Sequence, residues 1–137
     1  GDHNDIIKGD DGNDILNGDN GSDTIYDGEG NDTINGGNGD DVLYIGKGQD
    51  NIIGGLGRDI FSFESLESST SNSTDNILDF TFSEDIIDLS NTTIGNIDEL
   101  EITNDGTDTL VKDNNSDFVF KLSGVHLLSE DEFILNN

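Results

Sequence analysis

A nine-residue period runs through the first 62 residues and constrains the fold more than any other feature of this 137-residue chain. Seven units fit in register without an insertion, from the shortened GDHNDIIK at Gly1 to GGLGRDIFS at Gly54. Within a unit, the sixth residue is always aspartate and the eighth is always large and apolar. A fixed period of this kind indicates stacked copies of one small structural unit.

Two positions of the unit carry candidate ligand groups. The sixth-position aspartates are Asp5, Asp14, Asp23, Asp32, Asp41, Asp50 and Asp59. The fourth position is glycine in six of the seven units, with His3 as the exception: Gly12, Gly21, Gly30, Gly39, Gly48 and Gly57.

The composition of one unit predicts its local structure. Closely spaced glycines allow positive φ angles, so the first six residues are expected to form a tight turn. The last three residues, such as Thr24–Tyr26, are β-prone and predict a short strand whose middle side chain points inward. Two units then complete a coil of eighteen residues. The sequence therefore predicts an all-β chain that winds into a parallel β-roll of two facing sheets.

Stacking of the turns brings like charges together. Turns two units apart lie on one edge at about the 4.8 Å strand spacing, so Asp5, Asp23, Asp41 and Asp59 line one edge. Asp14, Asp32 and Asp50 line the other. A divalent cation bound by carboxylates and turn carbonyls would relieve the repulsion, and an all-oxygen ligand set favours Ca²⁺ over Mg²⁺. The same-edge neighbours predict five full sites, with further half-sites possible at the ends.

The roll buries too little apolar surface to fold by packing alone. One inward side chain per nine residues contributes roughly 1.5 to 3 kcal/mol, against about 1 to 2 kcal/mol of backbone entropy for every residue ordered. Calcium binding and folding are therefore expected to be one event.

The units resemble a known family, because they match the pattern G-G-x-G-x-D-x-U-x of the calcium-binding RTX (repeats-in-toxin) repeats. Glycine is missing at the first position in Asp27 and Ile45, and at the second in Asp10 and Asp19. The resemblance implies a β-roll that folds on extracellular calcium after export by a type I secretion apparatus. It also implies that the sixth-position aspartates ligate calcium, with help from turn carbonyls that include those of the position-four glycines.

The composition changes near Ser62, where the glycine-rich repeats give way to a segment that contains nearly all the phenylalanines. Two regions are predicted: a calcium-binding β-roll at 1–62, and a C-terminal capping and secretion-signal region at 63–137. DNILDFTFSEDIIDLS resembles the segment that follows RTX repeats. DTLVK, DFVFKLSGV and DEFIL resemble the terminal strands and the uncleaved C-terminal secretion signal.

The second region has its own β pattern. Apolar alternation predicts antiparallel strands at 100–103, 109–112 and 118–122, with a hairpin turn at 105–108 and a loop at 64–74. Eight apolar residues are expected to form a small core that closes the open end of the roll. They are Phe80, Phe82, Ile86, Ile87, Leu89, Phe118, Phe120 and Phe133.

The charge excludes several classes of partner. With 31 acidic and 5 basic residues, the chain has a net charge of −26, which repels nucleic acid and anionic lipid. No apolar run approaches the ~18 residues of a membrane span, so membrane insertion is not expected. Cysteine is absent, and no catalytic constellation is recognisable, so this chain is not expected to be an enzyme. His3 and His126 are interpreted as surface or packing residues.

Four acidic residues beyond the repeats leave an alternative open. Asp75, Asp79, Asp85 and Asp88 are interpreted as capping residues and surface charge, with an extra calcium site at the junction as the alternative.

Together these features predict a monomeric, calcium-binding C-terminal module cut from a large secreted or surface-attached bacterial protein, such as an adhesin, toxin or hydrolase. The alternative is a polysaccharide-binding accessory module of the kind that accompanies some alginate-modifying enzymes, which the sequence also resembles. Calcium-mediated self-assembly is a third hypothesis.

Overall fold

A computed structural model describes residues 1–124 and 127–136, and these residues form thirteen strands and two short 3-10 helices. The first nine strands are β1 (Ile6–Lys8), β2 (Ile15–Asn20), β3 (Thr24–Tyr26), β4 (Thr33–Asn38), β5 (Val42–Ile45), β6 (Asn51–Leu56), β7 (Ile60–Phe63), β8 (Asp75–Ile77) and β9 (Ile86–Asp88). The 3-10 helices and the last four strands are Ile97–Glu99, β10 (Leu100–Asn104), β11 (Asp108–Asp113), β12 (Val119–Ser123), Glu130–Glu132 and β13 (Phe133–Ile134).

The strands form the two predicted sheets. One sheet has the order β1-β3-β5-β7-β9-β13, and the other has the order β10-β11-β12-β8-β6-β4-β2. Within the repeats all pairs are parallel and offset by eighteen residues, as in Ile7 with Ile25 and Leu16 with Ile34. The predicted all-β parallel roll is confirmed.

The eighth position of each unit supplies the interior of the roll. From Leu16 to Phe61 these side chains are buried, while Ile7 in the first strand is partly buried. They belong to one apolar cluster that continues through the second half of the chain to Phe133. The alternation predicted for the three-residue strands therefore places one large apolar side chain inside for every nine residues.

The sheets continue past the last repeat. β8 pairs in parallel with β6, and β9 with β7, although the spacing grows to 25 and 26 residues. β12 and β13 then extend the two sheets in parallel, and β10 and β11 add the antiparallel strands that were predicted. At the predicted hairpin turn, Asp105 Oδ1 accepts hydrogen bonds from the amides of Thr107 and Asp108, both at 2.8 Å.

Two members of the predicted core are placed differently. Phe82 is 48% exposed, and Ile86 is only partly buried; the other six are buried as predicted. Phe82 lies in a turn, where the amides of Glu84 and Asp85 donate to the Thr81 carbonyl, so strand alternation does not apply to it. Ile86 begins β9, in which alternation places the side chain of Ile87 inside. The segment 64–74 is a loop, as predicted. His126 lies outside the described residues, and within them no helix is long and apolar enough to cross a membrane.

Candidate metal centre

The position-four glycines let successive turns stack closely. Five of the six have φ between 129° and 140°, a region that residues with a Cβ rarely adopt. A Cβ on Gly30 would also clash with the carbonyl oxygen of Gly12 one coil earlier. The amide of Gly12 donates to the Glu29 carbonyl at 2.8 Å, and the same bond recurs between later turns. Glycine is therefore required here by both conformation and space.

The sixth-position aspartates form a continuous row along each edge, which we call the aspartate ladder. Except in the first aspartate of each row, Oδ1 accepts a hydrogen bond from the backbone amide of the aspartate one coil earlier, at 2.7–3.0 Å. The first edge contains Asp5, Asp23, Asp41, Asp59 and Asp85, and the second edge contains Asp14, Asp32, Asp50 and Asp75. The same-edge grouping inferred from the period thus matches the observed contacts.

Two ladder members lie beyond the repeats. Asp75 and Asp85 are buried and accept from the amides of Asp50 and Asp59 at 2.8 and 2.9 Å, so their interpretation as surface charge is wrong. The nine-residue period does not reveal them because longer loops precede them. Asp79, by contrast, accepts from the amides of Gly54 and Gly55 at 2.8 Å, which is a capping role.

Asp88 also has a local role. Its carboxylate accepts from the Ser62 hydroxyl at 3.1 Å and from the Ser90 amide at 2.9 Å. The interpretation of Asp79 and Asp88 as caps therefore agrees with their hydrogen bonds.

The second oxygen, Oδ2, of the ladder carboxylates is the atom that indicates cation binding. From the second coil onward the ladder Oδ1 atoms are hydrogen-bonded, but several Oδ2 atoms are buried and have no hydrogen-bond partner among the described residues. A buried acceptor of this kind is costly unless a positive charge or a donor approaches it. The unpartnered ladder atoms are Oδ2 of Asp14, Asp23, Asp32, Asp41, Asp59 and Asp75, and Oδ2 of Asp27, which lies outside the ladder, is also buried and unpartnered. Hard oxygen donors in this number suit Ca²⁺.

Burial also perturbs the acidity of these groups. Desolvation raises the pKa of Asp27 and Asp59 to about 7, and hydrogen bonds from backbone amides offset only part of this effect. Desolvation likewise raises the pKa of Asp50 and Asp75, which lie close together. The carboxylates are therefore poorly stabilised as anions by the protein alone, which is the state expected of a ligand set without its metal.

Position five forms an outer row that the pattern did not predict. Its side-chain oxygens accept from the position-five amide one coil later, at 2.8–3.0 Å. The only signal in the sequence is that four of the seven residues there are Asn or Asp. The bonds join Asn4 to Ser22, Asn13 to Asn31, Asn31 to Gln49 and Asp40 to Arg58.

Comparison with known proteins identifies the repeats. A family model of the RTX calcium-binding nonapeptide repeat matches residues 1–26, 17–52 and 26–61. The AlgE6R3 subunit of the mannuronan C5-epimerase from Azotobacter vinelandii matches at a TM-score of 0.75 and 35% identity. The match covers 92% of this chain and 80% of that subunit. This chain belongs to the family of RTX calcium-binding β-rolls.

A second subunit supports the same relationship. The RTX roll described here matches the AlgE6R2 subunit of the same epimerase at a TM-score of 0.64 and 29% identity, over 95% of this chain and 92% of that subunit. No curated protein sequence matches the chain. Both the repeat matches and the structural matches identify a calcium-binding repeat module, as predicted.

Proposed function

We propose that the sixth-position aspartates of this RTX roll bind calcium, together with carbonyls of the position-four glycines, and that the chain folds when calcium binds. The observation that carries the proposal is the set of buried aspartate oxygens without hydrogen-bond partners along both edges. Calcium would neutralise carboxylates that otherwise repel one another one coil apart. Asp75 continues the second edge with an unpartnered oxygen of its own, so it joins the proposed ligands.

The energy of such binding is large enough to decide whether the chain folds. A site with a dissociation constant of ~0.1 mM contributes roughly 1.4 kcal/mol at ~1 mM calcium. Five or more sites then contribute about as much as the whole stability of a small domain. A chain with this dependence would stay unfolded where calcium is scarce and would fold where calcium is abundant.

The stoichiometry provides the test. Native mass spectrometry of the full chain at increasing calcium concentration is expected to show at least five bound ions per chain. Magnesium at the same concentrations is expected to leave most sites empty. Binding of one ion or none, with the roll intact, would overturn the proposal.

We also propose that the two regions have different functions in a secreted or surface-attached protein. Residues 1–62 are the calcium-binding roll, and residues 63–137 are the capping and secretion-signal region. The support is the likeness of the C-terminal segments to those of RTX proteins. Export of a fusion ending in 63–137 from a host with a type I secretion apparatus would test it. Equal export of a fusion without these residues would contradict it.

A second candidate function follows from the structural matches. The R subunits that this chain resembles belong to an enzyme named for acting on mannuronan, so we infer a polysaccharide-binding accessory role as the alternative. With a charge of −26, this chain is expected to bind a polyuronate only when calcium neutralises and bridges the two. Calorimetric titration with mannuronan oligomers in calcium is the test, and absence of binding in calcium would exclude this role.

A further inference from the structure

Asp27 is a buried carboxylate that does not belong to the aspartate ladder. It occupies the first position of its unit, where the repeat pattern has glycine, and it is only 1% exposed. Its Oδ1 accepts from the amides of Gly28 at 2.6 Å and Gly46 at 2.7 Å. Its Oδ2 is buried and has no hydrogen-bond partner among the described residues.

Asp27 lies beside two members of the second edge. One carboxylate oxygen from each of Asp27, Asp32 and Asp50 lies within 4.8 Å of the other two, and all three residues are buried. None of the ion pairs formed by the described residues reaches these three carboxylates. Three buried like charges at these distances repel strongly unless a cation lies among them.

The neighbouring units show what the first position offers a site. A Cβ on Gly36 would press against Oδ2 of Asp41, so this position adjoins the ladder carboxylate of its own unit. Asp27 therefore brings a side-chain oxygen to a place where the other units cannot supply one. In those units the first residue is glycine or, in one case, Ile45.

We propose that Asp27, Asp32 and Asp50 together form a three-carboxylate calcium site that is the tightest site of the roll. This inference rests on the proposed function, and it adds a ligand that the repeat pattern does not contain. Among the described residues, no other group of three carboxylates has oxygens this close together. Because the number of charged ligands sets the affinity of a calcium site, the third carboxylate makes this site fill first.

Substitution of Asp27 tests the proposal. Asp27→Asn keeps the acceptor for Gly28 and Gly46 and removes the charge, and Asp27→Gly restores the residue of the repeat pattern. Both are expected to weaken the tightest step of a calcium titration by about tenfold or more. Asp40→Asn is the matched control: it removes one exposed charge and keeps the acceptor for the Arg58 amide, so the step should hardly change.

Terbium luminescence gives a second measurement, because the chain has two tyrosines and both lie near this site. Tyr26 precedes Asp27 directly, and its ring stacks on that of Tyr44 with centroids 4.5 Å apart. Emission excited through tyrosine is expected with the first equivalent of Tb³⁺ in the wild-type chain and in Asp40→Asn. It is expected only at higher Tb³⁺ in Asp27→Asn.

The outcomes separate this inference from the proposed function. If the wild-type chain binds no calcium, both fail. If it binds and folds but both Asp27 variants keep the tightest step and the early Tb³⁺ emission, the three-carboxylate site alone is wrong. Asp27 would then be a carboxylate that serves only its two backbone hydrogen bonds.

Discussion

In the repeat region, residues 1–62, the coils after the first bury inward apolar side chains together with ladder carboxylates, whereas the region after Ser62 buries an aromatic cluster. In that cluster the rings of Phe63, Phe118 and Phe120 lie with centroids 4.8–5.7 Å apart. Both regions contribute strands to the same two sheets. The same backbone architecture therefore contains rows of buried carboxylates at one end and an aromatic cluster at the other.

The difference shows that sheet continuity does not imply a uniform response to solution conditions. Stability that comes from carboxylates depends on calcium and protons, while stability that comes from buried rings depends on neither.

The largest contrast is expected from acid in calcium-free solution. The pKa of Asp27 and Asp59 rises from 3.8 to about 7 on folding, so the calcium-free roll binds protons more tightly than the unfolded chain. Acidification from about pH 8 to about pH 5 should therefore stabilise the repeats, and stability should be lost as the pH rises through about 7.

Hydrogen exchange at the two pH values, corrected for intrinsic rates, measures this effect in each region. Protection should rise in β1–β7 on acidification and change less in β10–β12, where hydrogen bonds from Thr107 and Asp108 lower the pKa of Asp105. Loss of repeat protection on acidification would contradict the account. Calcium affinity should fall over the same range, because protons compete for the ligands.

The aromatic cluster gives the next largest effect. Phe118→Ala removes a fully buried ring and should lower the free energy of unfolding in saturating calcium by about 3–5 kcal/mol. Phe82→Ala is the control, since this ring is half exposed and should change stability far less. Urea unfolding in saturating calcium measures both variants. If Phe118→Ala also changed the number of calcium ions bound, the two regions would not be stabilised independently.

The effect of replacing a ladder aspartate on calcium binding should depend on its position along the ladder. Asp32 bonds to neighbours on both sides, whereas Asp5 is linked on one side only. Asp32→Ala should therefore disturb two sites and cost at least about 3 kcal/mol at ~1 mM calcium, against about 1.4 kcal/mol for Asp5→Ala. The shift of the calcium midpoint in circular dichroism measures the difference. Equal shifts would contradict the stacking of sites.

The smallest effect is expected at a surface ion pair of the second region. Lys121 Nζ lies 3.2 Å from Asp108 Oδ2, and both side chains are partly exposed. Lys121→Ala should change the free energy of unfolding by less than about 1 kcal/mol, because solvent screens such pairs. Urea unfolding is the measurement, and a loss of several kcal/mol would mean that charge pairing also stabilises this region.

The periodic part of the molecule could be predicted from sequence because each unit repeats the same physical problem. The glycine spacing predicted the turns, and the aspartate at position six of every unit predicted the ladder as far as Asp59. Asp75 and Asp85 escaped the period because loops of unequal length lead to them. The sequence does reveal Asp27 as a departure from glycine, but not that its side chain is buried beside Asp32 and Asp50.

The second region was predictable only in part. Alternation located β11, in which every second residue is buried, while the apolar run in β12 indicated a strand with little exposed surface. Alternation failed at Phe82 because a turn at Thr81 redirects the chain. Apolar residues in loops carry no periodic signal, so their burial depends on tertiary packing that a single sequence does not reveal.

The most direct test of calcium-dependent folding is the circular dichroism of the calcium-stripped chain as calcium is added back near neutral pH. The repeats are expected to be disordered at first and to gain β-structure cooperatively at millimolar calcium. If the stripped chain already has the full β signal and the same hydrogen-exchange protection in β1–β7, the roll does not depend on calcium and the central claim is wrong.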